Sequence, residues 1–258
     1  METVPPEFLT FAERLADADG AVLRRYFRTG IGSEAKSDES PVTRADREAE
    51  TAVRALIEEH YPDHGIHGEE FPTVRGDAEW VWLVDPLDGT KSFLKSKPTF
   101  GCLIALAHNG RYVLGIIDQP ITGDRWTGAD GHGTTHNGHP VRTRACPSLG
   151  QAVMAAVGPD AETEADESKV APLRQGVNWL MYGLECFAYG AMANGALDLA
   201  IEAELGIDDI AALEPVVRNA GGILTDLKGN PVDITYAGRT LAAGDQRLHE
   251  QAVRLLDF

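Results

Sequence analysis

The chain has 258 residues, of which 43% are hydrophobic and 24% are charged, as expected for one large globular domain or two smaller ones that are closely joined. Acidic residues outnumber basic ones 40 to 23, which gives a formal net charge of −17. This balance argues against nucleic acids and anionic membranes as partners, because both are bound through Lys and Arg. Most of the acidic excess is expected to be solvated surface, although it is compatible with a site that holds cations.

The cysteines and the start of the chain bear on its location. Cys102, Cys146 and Cys186 give neither a disulfide framework nor a CxxC metal pair, and they favour a reducing compartment. Residues 1–10 lack the basic region of a signal peptide. No stretch approaches the roughly 18 apolar residues that a membrane span requires. We therefore expect a cytoplasmic protein.

The first half of the chain predicts two helices and a mainly antiparallel sheet. Apolar residues at helical spacing place the helices at 6–29 and 43–60. Apolar runs predict strands at 80–84, 100–107, 112–119 and 122–135. Asn109-Gly110 lies between two of these runs, and this dipeptide is typical of a β-hairpin turn.

The second half alternates between strand and helix patterns, which indicates an α/β layer. Predicted strands lie at 153–157, 177–182, 197–201, 222–225 and near Leu241, and predicted helices at 186–194, 207–219 and 245–256. The acidic stretch 161–167 is predicted to be a loop or the start of a helix. The change of pattern predicts an N-terminal α+β domain over 1–140 and a C-terminal α/β domain over 141–258.

One acidic segment follows the predicted strand at 80–84 and has the sequence Asp-Pro-Leu-Asp-Gly-Thr over 85–90. Because Pro has a fixed φ and no N–H, we expect a sharp turn here that aims Asp85, Asp88 and the Leu87 carbonyl at one point. Ligands that are all oxygen suit a hard cation such as Mg²⁺. The backbone N–H groups that follow, at Gly89 and Thr90, can bind an anion.

Each acidic cluster also has an ordinary structural interpretation. The segment 85–90 could be a surface turn, since Asp, Pro and Gly are common turn formers. Glu69 and Glu70 could belong to a solvated loop, and Asp209 could cap the predicted helix at 207–219. Taken one at a time, these clusters leave both interpretations open.

Their order along the chain is more specific. Gly68-Glu69-Glu70, the segment 85–90, and Asp209 twelve residues before Gly221-Gly222 resemble the inositol monophosphatase family. Upstream, Thr43 and Asp46 match the family's Thr-x-x-Asp element, and Lys36 matches a basic residue that precedes it. The resemblance covers nearly the whole chain. It implies a layered αβαβα sandwich, Mg²⁺-dependent hydrolysis of a small phosphorylated metabolite, inhibition by Li⁺, and a homodimer.

The resemblance also assigns metal ligands by position. Glu69, Asp85 and the Leu87 carbonyl would hold one Mg²⁺, and Asp85, Asp88 and Asp209 would hold a second. Glu70 would bind a further water or a third, weaker ion. The site would therefore contain two or three Mg²⁺ ions.

The catalytic roles implied by the resemblance concern one water molecule and the phosphate. Thr90, assisted by Glu69 and Asp46, would position and deprotonate the water that attacks phosphorus in line, after a metal has lowered its pKa. The Gly89 and Thr90 amides, beside Asp88, would bind the phosphate.

The segment 182–190 resembles the histidinol-phosphatase branch of this family. Gly183 and Glu185 fall in the predicted substrate pocket, where Glu185 would pair with the amine of an amino alcohol, and Glu202 is a second pocket residue. Glu185 could instead complement the dipole of the predicted helix at 186–194. The branch usually has Asp at position 185 and an aromatic residue at position 208. Here Asp208 could add a metal ligand or face solvent.

The leading hypothesis is therefore a histidinol-phosphate phosphatase of histidine biosynthesis. The alternative is an inositol-1-monophosphatase or a broad-specificity sugar-phosphate phosphatase. A protein of another class, a non-catalytic binding protein that keeps the fold, is disfavoured because every matched ligand position still has an oxygen donor.

Overall fold

A computed structural model describes residues 3–35, 41–156 and 164–256. Lys36, residue 157 of a predicted strand and residues 161–163 of the acidic stretch lie outside these described residues.

The helices of the described residues confirm the helical predictions and add one. They are α1 (Pro6–Tyr26), α2 (Arg44–His60), α3 (Thr90–Leu94), α4 (Glu164–Gly176), α5 (Phe187–Ala193), α6 (Ile207–Asn219) and α7 (Gln246–Leu256), with a short 3-10 helix at Leu149–Gln151. Of these, α3 was not predicted, because it has only five residues, whereas α4 begins within the acidic stretch for which a loop or the start of a helix was predicted. None of the described helices is long and apolar enough to cross a membrane.

The strands form a small hairpin and two large sheets. The hairpin joins β1 (Ser33–Ala35) and β2 (Pro41–Thr43). The seven-stranded sheet contains, in spatial order, β3 (Gly65–Gly68), β4 (Trp80–Asp88), β5 (Gly101–His108), β6 (Arg111–Gln119), β7 (Asp124–Ala129), β8 (Gly133–His136) and β9 (His139–Val141). The five-stranded sheet contains β10 (Val153–Ala156), β11 (Trp179–Tyr182), β12 (Leu199–Leu205), β13 (Ile223–Asp226) and β14 (Gly238–Ala243), in the order β11-β10-β12-β14-β13.

Helices α1 and α2 cover one face of the seven-stranded sheet. Alternate residues of β4, Trp82 and Val84, point to this face and pack in one apolar cluster with Leu15 of α1 and Val53 of α2. The next residues along β4, Val81 and Leu83, belong to a different cluster on the opposite face. This strict alternation is the two-residue period of a strand that is buried on both faces.

Helices α5 and α6 lie between the two sheets. Their buried residues share one cluster with Leu83 and Leu103 of the first sheet and with Ala200 and Leu224 of the second. The approach of α6 is close, since a Cβ on Gly115 of β6 would lie 2.2 Å from the Ala212 carbonyl oxygen. This packing fixes the start of α6, and with it Asp209, against the first sheet.

Helices α4 and α7 cover the outer face of the second sheet. Val170 of α4 and Leu248 of α7 pack with Met154 of β10 and Ile201 of β12. The layers therefore run helix, sheet, helix, sheet, helix, and the predicted αβαβα sandwich is confirmed. The predicted antiparallel sheet is antiparallel from β4 to β9, but β3 joins β4 in parallel. The proposed boundary between residues 140 and 141 falls within β9 and stays a prediction.

Candidate active site

Residues 85–88 continue strand β4, which corrects the prediction that this strand ends at Val84 and is followed at once by a sharp turn. Asp85 pairs with Leu103 of β5 and Asp88 pairs with Gly101, so three steps along β4 match two along β5. This is a β-bulge. Since residues three apart would otherwise face opposite sides of a sheet, the bulge brings both carboxylates to one face. Asp85 is 3% exposed, which rules out the surface-turn interpretation.

Asp209 joins these two side chains from the start of α6. Its Oδ2 accepts a hydrogen bond from the Gly206 amide at 2.7 Å, so it also helps to cap the helix. Carboxylate oxygens of Asp85, Asp88 and Asp209 all lie within 4.8 Å of one another. We call these three residues the carboxylate trio.

The electrostatics of the carboxylate trio favour cation binding. Burial raises the pKa of Asp85 well above its usual value, and the negative charges of Glu69 and Asp209 raise it further. Burial and then the charge of Asp208 do the same to the pKa of Asp209, and burial raises the pKa of Asp88 to about 6. A divalent cation would relieve this repulsion and reverse these shifts. Donors that are all oxygen fit a hard ion.

Glu69 lies beside the trio, and Glu70 follows it in the chain. The Glu69 amide donates to the Val84 carbonyl at 3.2 Å, and the charge of Glu69 raises the pKa of both Asp85 and Asp88. Its side chain is exposed and stands outside the 4.8 Å group found among the described residues. The Glu70 amide donates to Glu50 Oε2 at 2.7 Å.

Glu50 is a residue that the sequence did not single out. It is fully buried on α2, and its Oε1 accepts from Arg54 Nε at 2.6 Å. A Cβ on Gly68 would lie 2.0 Å from Glu50 Oε1, so Gly68 leaves room for this carboxylate beneath Glu69 and Glu70. Glu50 and Arg54 have the spacing of a surface ion pair on a helix, so their pattern does not indicate that Glu50 is buried beside the site.

Thr90 is placed between two oxygen acceptors. Its Oγ1 lies 3.2 Å from the Leu87 carbonyl oxygen and 3.5 Å from Asp46 Oδ1. The other oxygen of Asp46, Oδ2, accepts from the Thr43 amide at 3.0 Å and completes a capping box at the start of α2. Burial raises the pKa of Asp46. Gly89, with φ of 78°, is the N-cap residue of α3, which begins at Thr90.

Asp208 does not face solvent. It is 8% exposed, its Oδ1 lies 4.0 Å from His67 Nε2, and it is not one of the carboxylate trio. The other histidine near this segment, His64, stacks on Tyr61 and accepts a hydrogen bond from Trp82 Nε1 at 3.1 Å. His64 is therefore a packing residue.

Residues 183–186, which we call the specificity segment, border the trio on another side. The Cys186 amide donates to Asp88 Oδ2 at 2.7 Å, and Ser92 Oγ donates to Glu185 Oε1 at 2.7 Å. Glu185 precedes the first residue of α5 by two positions and has φ of 50°. It thus precedes the first turn of α5, and the hydrogen bond from Ser92 is the contact that the structure gives its carboxylate.

Glu202 of β12 completes the acidic surroundings. Burial, followed by the charges of Asp88, Glu185 and Asp209, raises its pKa well above the usual value. The negative charges of Asp88, Glu185 and Asp209 therefore all act on Glu202. These four residues come from β4, the specificity segment, α6 and β12.

The fold and this acidic site define a phosphatase of the inositol monophosphatase family, and the chain belongs to that family, whose model matches residues 5–258. The bifunctional phosphatase IMPL2, chloroplastic, of Arabidopsis thaliana is 40% identical, over 100% of this chain and 77% of the relative. The histidinol-phosphatase of Streptomyces coelicolor is 32% identical, over 96% of both chains. A solved inositol monophosphatase from Zymomonas mobilis matches 100% of both chains with a TM-score of 0.91 and 38% identity.

Proposed function

We propose that this phosphatase hydrolyses the phosphate ester of an amino alcohol, with histidinol phosphate as its substrate and Mg²⁺ as its metal. The observation that carries the proposal is the position of Glu185. A Cβ on Gly89 would lie 2.8 Å from Glu185 Cγ, so a carboxylate lies directly against the backbone that we assign to the phosphate. A substrate for such a site needs a positive charge close to its phosphate.

The metal would be held by the carboxylate trio, with Glu69, the Leu87 carbonyl and Glu70 as further oxygen donors, as the resemblance implies. Bound Mg²⁺ would supply Lewis acidity toward the phosphate and lower the pKa of a water molecule. The charge of the donor set supports this assignment, since burial of so many carboxylates without a cation is costly.

The pair formed by Thr90 and Asp46 would orient the attacking water. Thr90 Oγ1 donates its proton to Asp46 or to the Leu87 carbonyl, which leaves its lone pairs to accept a hydrogen bond from water. Glu69 or Asp46 then takes the proton of this water while its oxygen attacks phosphorus in line. The ester oxygen leaves on the opposite side and is protonated as the alcohol. The Gly89 and Thr90 amides would bind the phosphate oxygens.

The amine would be bound by Glu185, with Glu202 and Gly183 as neighbouring pocket residues. An ammonium group next to Glu202 would offset the burial and repulsion that raise its pKa. Because Glu185 lies against Gly89, the amine must be only a few bonds from the phosphate. Histidinol phosphate meets this condition, since its amine is on the carbon next to the ester carbon.

An inositol-1-phosphate or sugar-phosphate substrate is the second candidate. The 38% identity to the Zymomonas mobilis inositol monophosphatase favours it, and a carboxylate at position 185 can also accept hydrogen bonds from substrate hydroxyls.

A substrate panel at fixed Mg²⁺ tests the choice. Phosphate release should be far faster from histidinol phosphate than from inositol 1-phosphate or from the analogue of histidinol phosphate that lacks the amine. Equal kcat/KM for the amine and deamino esters, or the reverse ranking, would refute the proposal. Homodimerisation and a cytoplasmic location remain predictions, and sedimentation of the purified protein tests the first.

A further inference from the structure

The specificity segment forms hydrogen bonds with one short stretch of chain, residues 88–99, which connects the end of β4 to β5. Besides the bonds from Ser92 to Glu185 and from the Cys186 amide to Asp88, the Gly183 carbonyl accepts from Lys97 Nζ and from Thr99 Oγ1, the latter at 3.3 Å. These contacts link positions more than 80 apart in the chain.

The backbone conformation of the specificity segment at Glu185 is one that glutamate does not favour. Gly183 has φ of 64° and Glu185 has φ of 50°. The left-handed region suits glycine but is unfavourable for glutamate. A residue in this region persists only when its surroundings fix it. The contacts of its side chain must therefore contribute to its position.

Ser92 is suited to this role. It is 7% exposed, lies on α3 two residues after Thr90, and directs its hydroxyl at only one of the two carboxylate oxygens of Glu185, Oε1, at 2.7 Å. A hydrogen bond to a charged acceptor is stronger than a neutral one. With Oε1 engaged, Oε2 is the oxygen that a substrate amine would use.

We propose that Ser92 is a specificity-determining positioning residue, which fixes Glu185 so that its second carboxylate oxygen meets the amine of the substrate. The proposal rests on the proposed function, since it assumes an amine-bearing ester. It makes α3 responsible for two tasks. Thr90 at its start orients the water, and Ser92 one half-turn later sets the substrate that is accepted.

The test is a double-mutant cycle with Ser92→Ala, Glu185→Gln and the double variant, assayed on histidinol phosphate and on its deamino analogue. Ser92→Ala should raise KM for histidinol phosphate about tenfold, as loss of a hydrogen bond to a charged group predicts, with a much smaller change in kcat. In the Glu185→Gln background the same substitution should have no further effect on KM, since coupled residues are not additive. Ser92→Thr, which keeps the hydroxyl, should restore most of the affinity.

The controls separate the two proposals. Ser148→Ala makes the same change at a serine whose side chain forms no capping hydrogen bond, and it should leave KM unchanged. If the wild type does not prefer the amine ester, the proposed function fails and the Ser92 proposal fails with it. If the wild type prefers it but Ser92→Ala and Glu185→Gln act additively, or Ser92→Ala lowers kcat on both esters equally, only the Ser92 proposal is overturned.

Discussion

Thr90 Oγ1 lies 3.5 Å from Asp46 Oδ1, although 44 residues separate the two in the chain. Asp46 belongs to the capping box of α2, and Thr90 begins α3. The contact therefore brings the start of α2 into the site that lies at the start of α3.

This contact predicts the effect of Asp46→Asn. An amide can still cap α2 but cannot take a proton, so kcat should fall by about 10²- to 10⁴-fold, the usual contribution of a general base, while the melting temperature changes little. Steady-state kinetics with circular dichroism as a folding check measure this. Asp77→Asn, at an exposed position, is the matched control. A kcat within twofold of wild type would remove Asp46 from the mechanism.

Asp88→Asn should separate stability from metal binding. Because burial raises the pKa of Asp88 to about 6, a neutral side chain should relieve repulsion and raise the melting temperature in EDTA. The same change should abolish most of the stabilisation that MgCl₂ gives the wild type and reduce turnover by orders of magnitude. Thermal melts with and without Mg²⁺ provide the measurement. Wild-type turnover in this variant would show that the metal assignment is incorrect.

Gly68→Ala should disturb the Glu69-Glu70 segment without touching the carboxylate trio. The added Cβ would lie 2.0 Å from Glu50 Oε1, and a buried carboxylate held by Arg54 has little room to move. We expect a loss of about 1–3 kcal/mol in the free energy of unfolding and weaker Mg²⁺ binding, measured by urea melts and calorimetric titration. Gly32→Ala, where a Cβ meets nothing within 4 Å, should change neither.

Asp19 makes the stability of the protein depend on pH. Its side chain is completely buried on α1 with no hydrogen-bond partner among the described residues for either carboxylate oxygen, and burial raises its pKa well above 3.8. The folded state therefore binds more protons than the unfolded state above pH 3.8, and the stability must fall as pH rises toward the folded pKa, by about 1.4 kcal/mol per pH unit at most.

Asp19→Asn should remove this contribution. The difference in the free energy of unfolding between this variant and the wild type should increase with pH. Urea unfolding in EDTA between about pH 5 and pH 8 measures it. Asp63→Asn, at an exposed position, should leave the pH dependence as it is. If the difference between Asp19→Asn and wild type did not change with pH, Asp19 would be ionised at no cost.

Lithium should inhibit the enzyme, because a small monovalent cation can compete for the carboxylate trio without supplying the charge of Mg²⁺. A dose-response series with LiCl against NaCl, at fixed Mg²⁺, measures it. Equal responses to the two salts would indicate that the trio does not exchange its ion in this way.

The sequence predicts most of the fold, and the reasons are local. The Asn109-Gly110 turn and the apolar alternation of β5 and β6 gave the hairpin, and helical spacing gave α1 and α2. It did not predict β3, a four-residue strand with Gly at both ends, because its burial comes from β4 rather than from its own residues. Strand β12 extends to Leu205 beyond the predicted Ile201, since Glu202 and Glu204 interrupt the apolar pattern.

The residues of the candidate active site were also predicted only in part. The carboxylate trio was predicted because the segment 85–90 and Asp209 carry their chemistry in a recognisable order. Glu50 and Ser92 were not, since each acts on a residue far away in the chain, and a serine or a glutamate on a helix gives no sign of which partner it will meet.

The β-bulge between Asp85 and Asp88 has a consequence for change in this strand. The bulge and the three-residue spacing of the two acids depend on each other, since without the bulge Asp85 and Asp88 would face opposite sides of the sheet. Natural variants that keep this spacing should therefore also keep the bulge, even where the residues between the two acids differ.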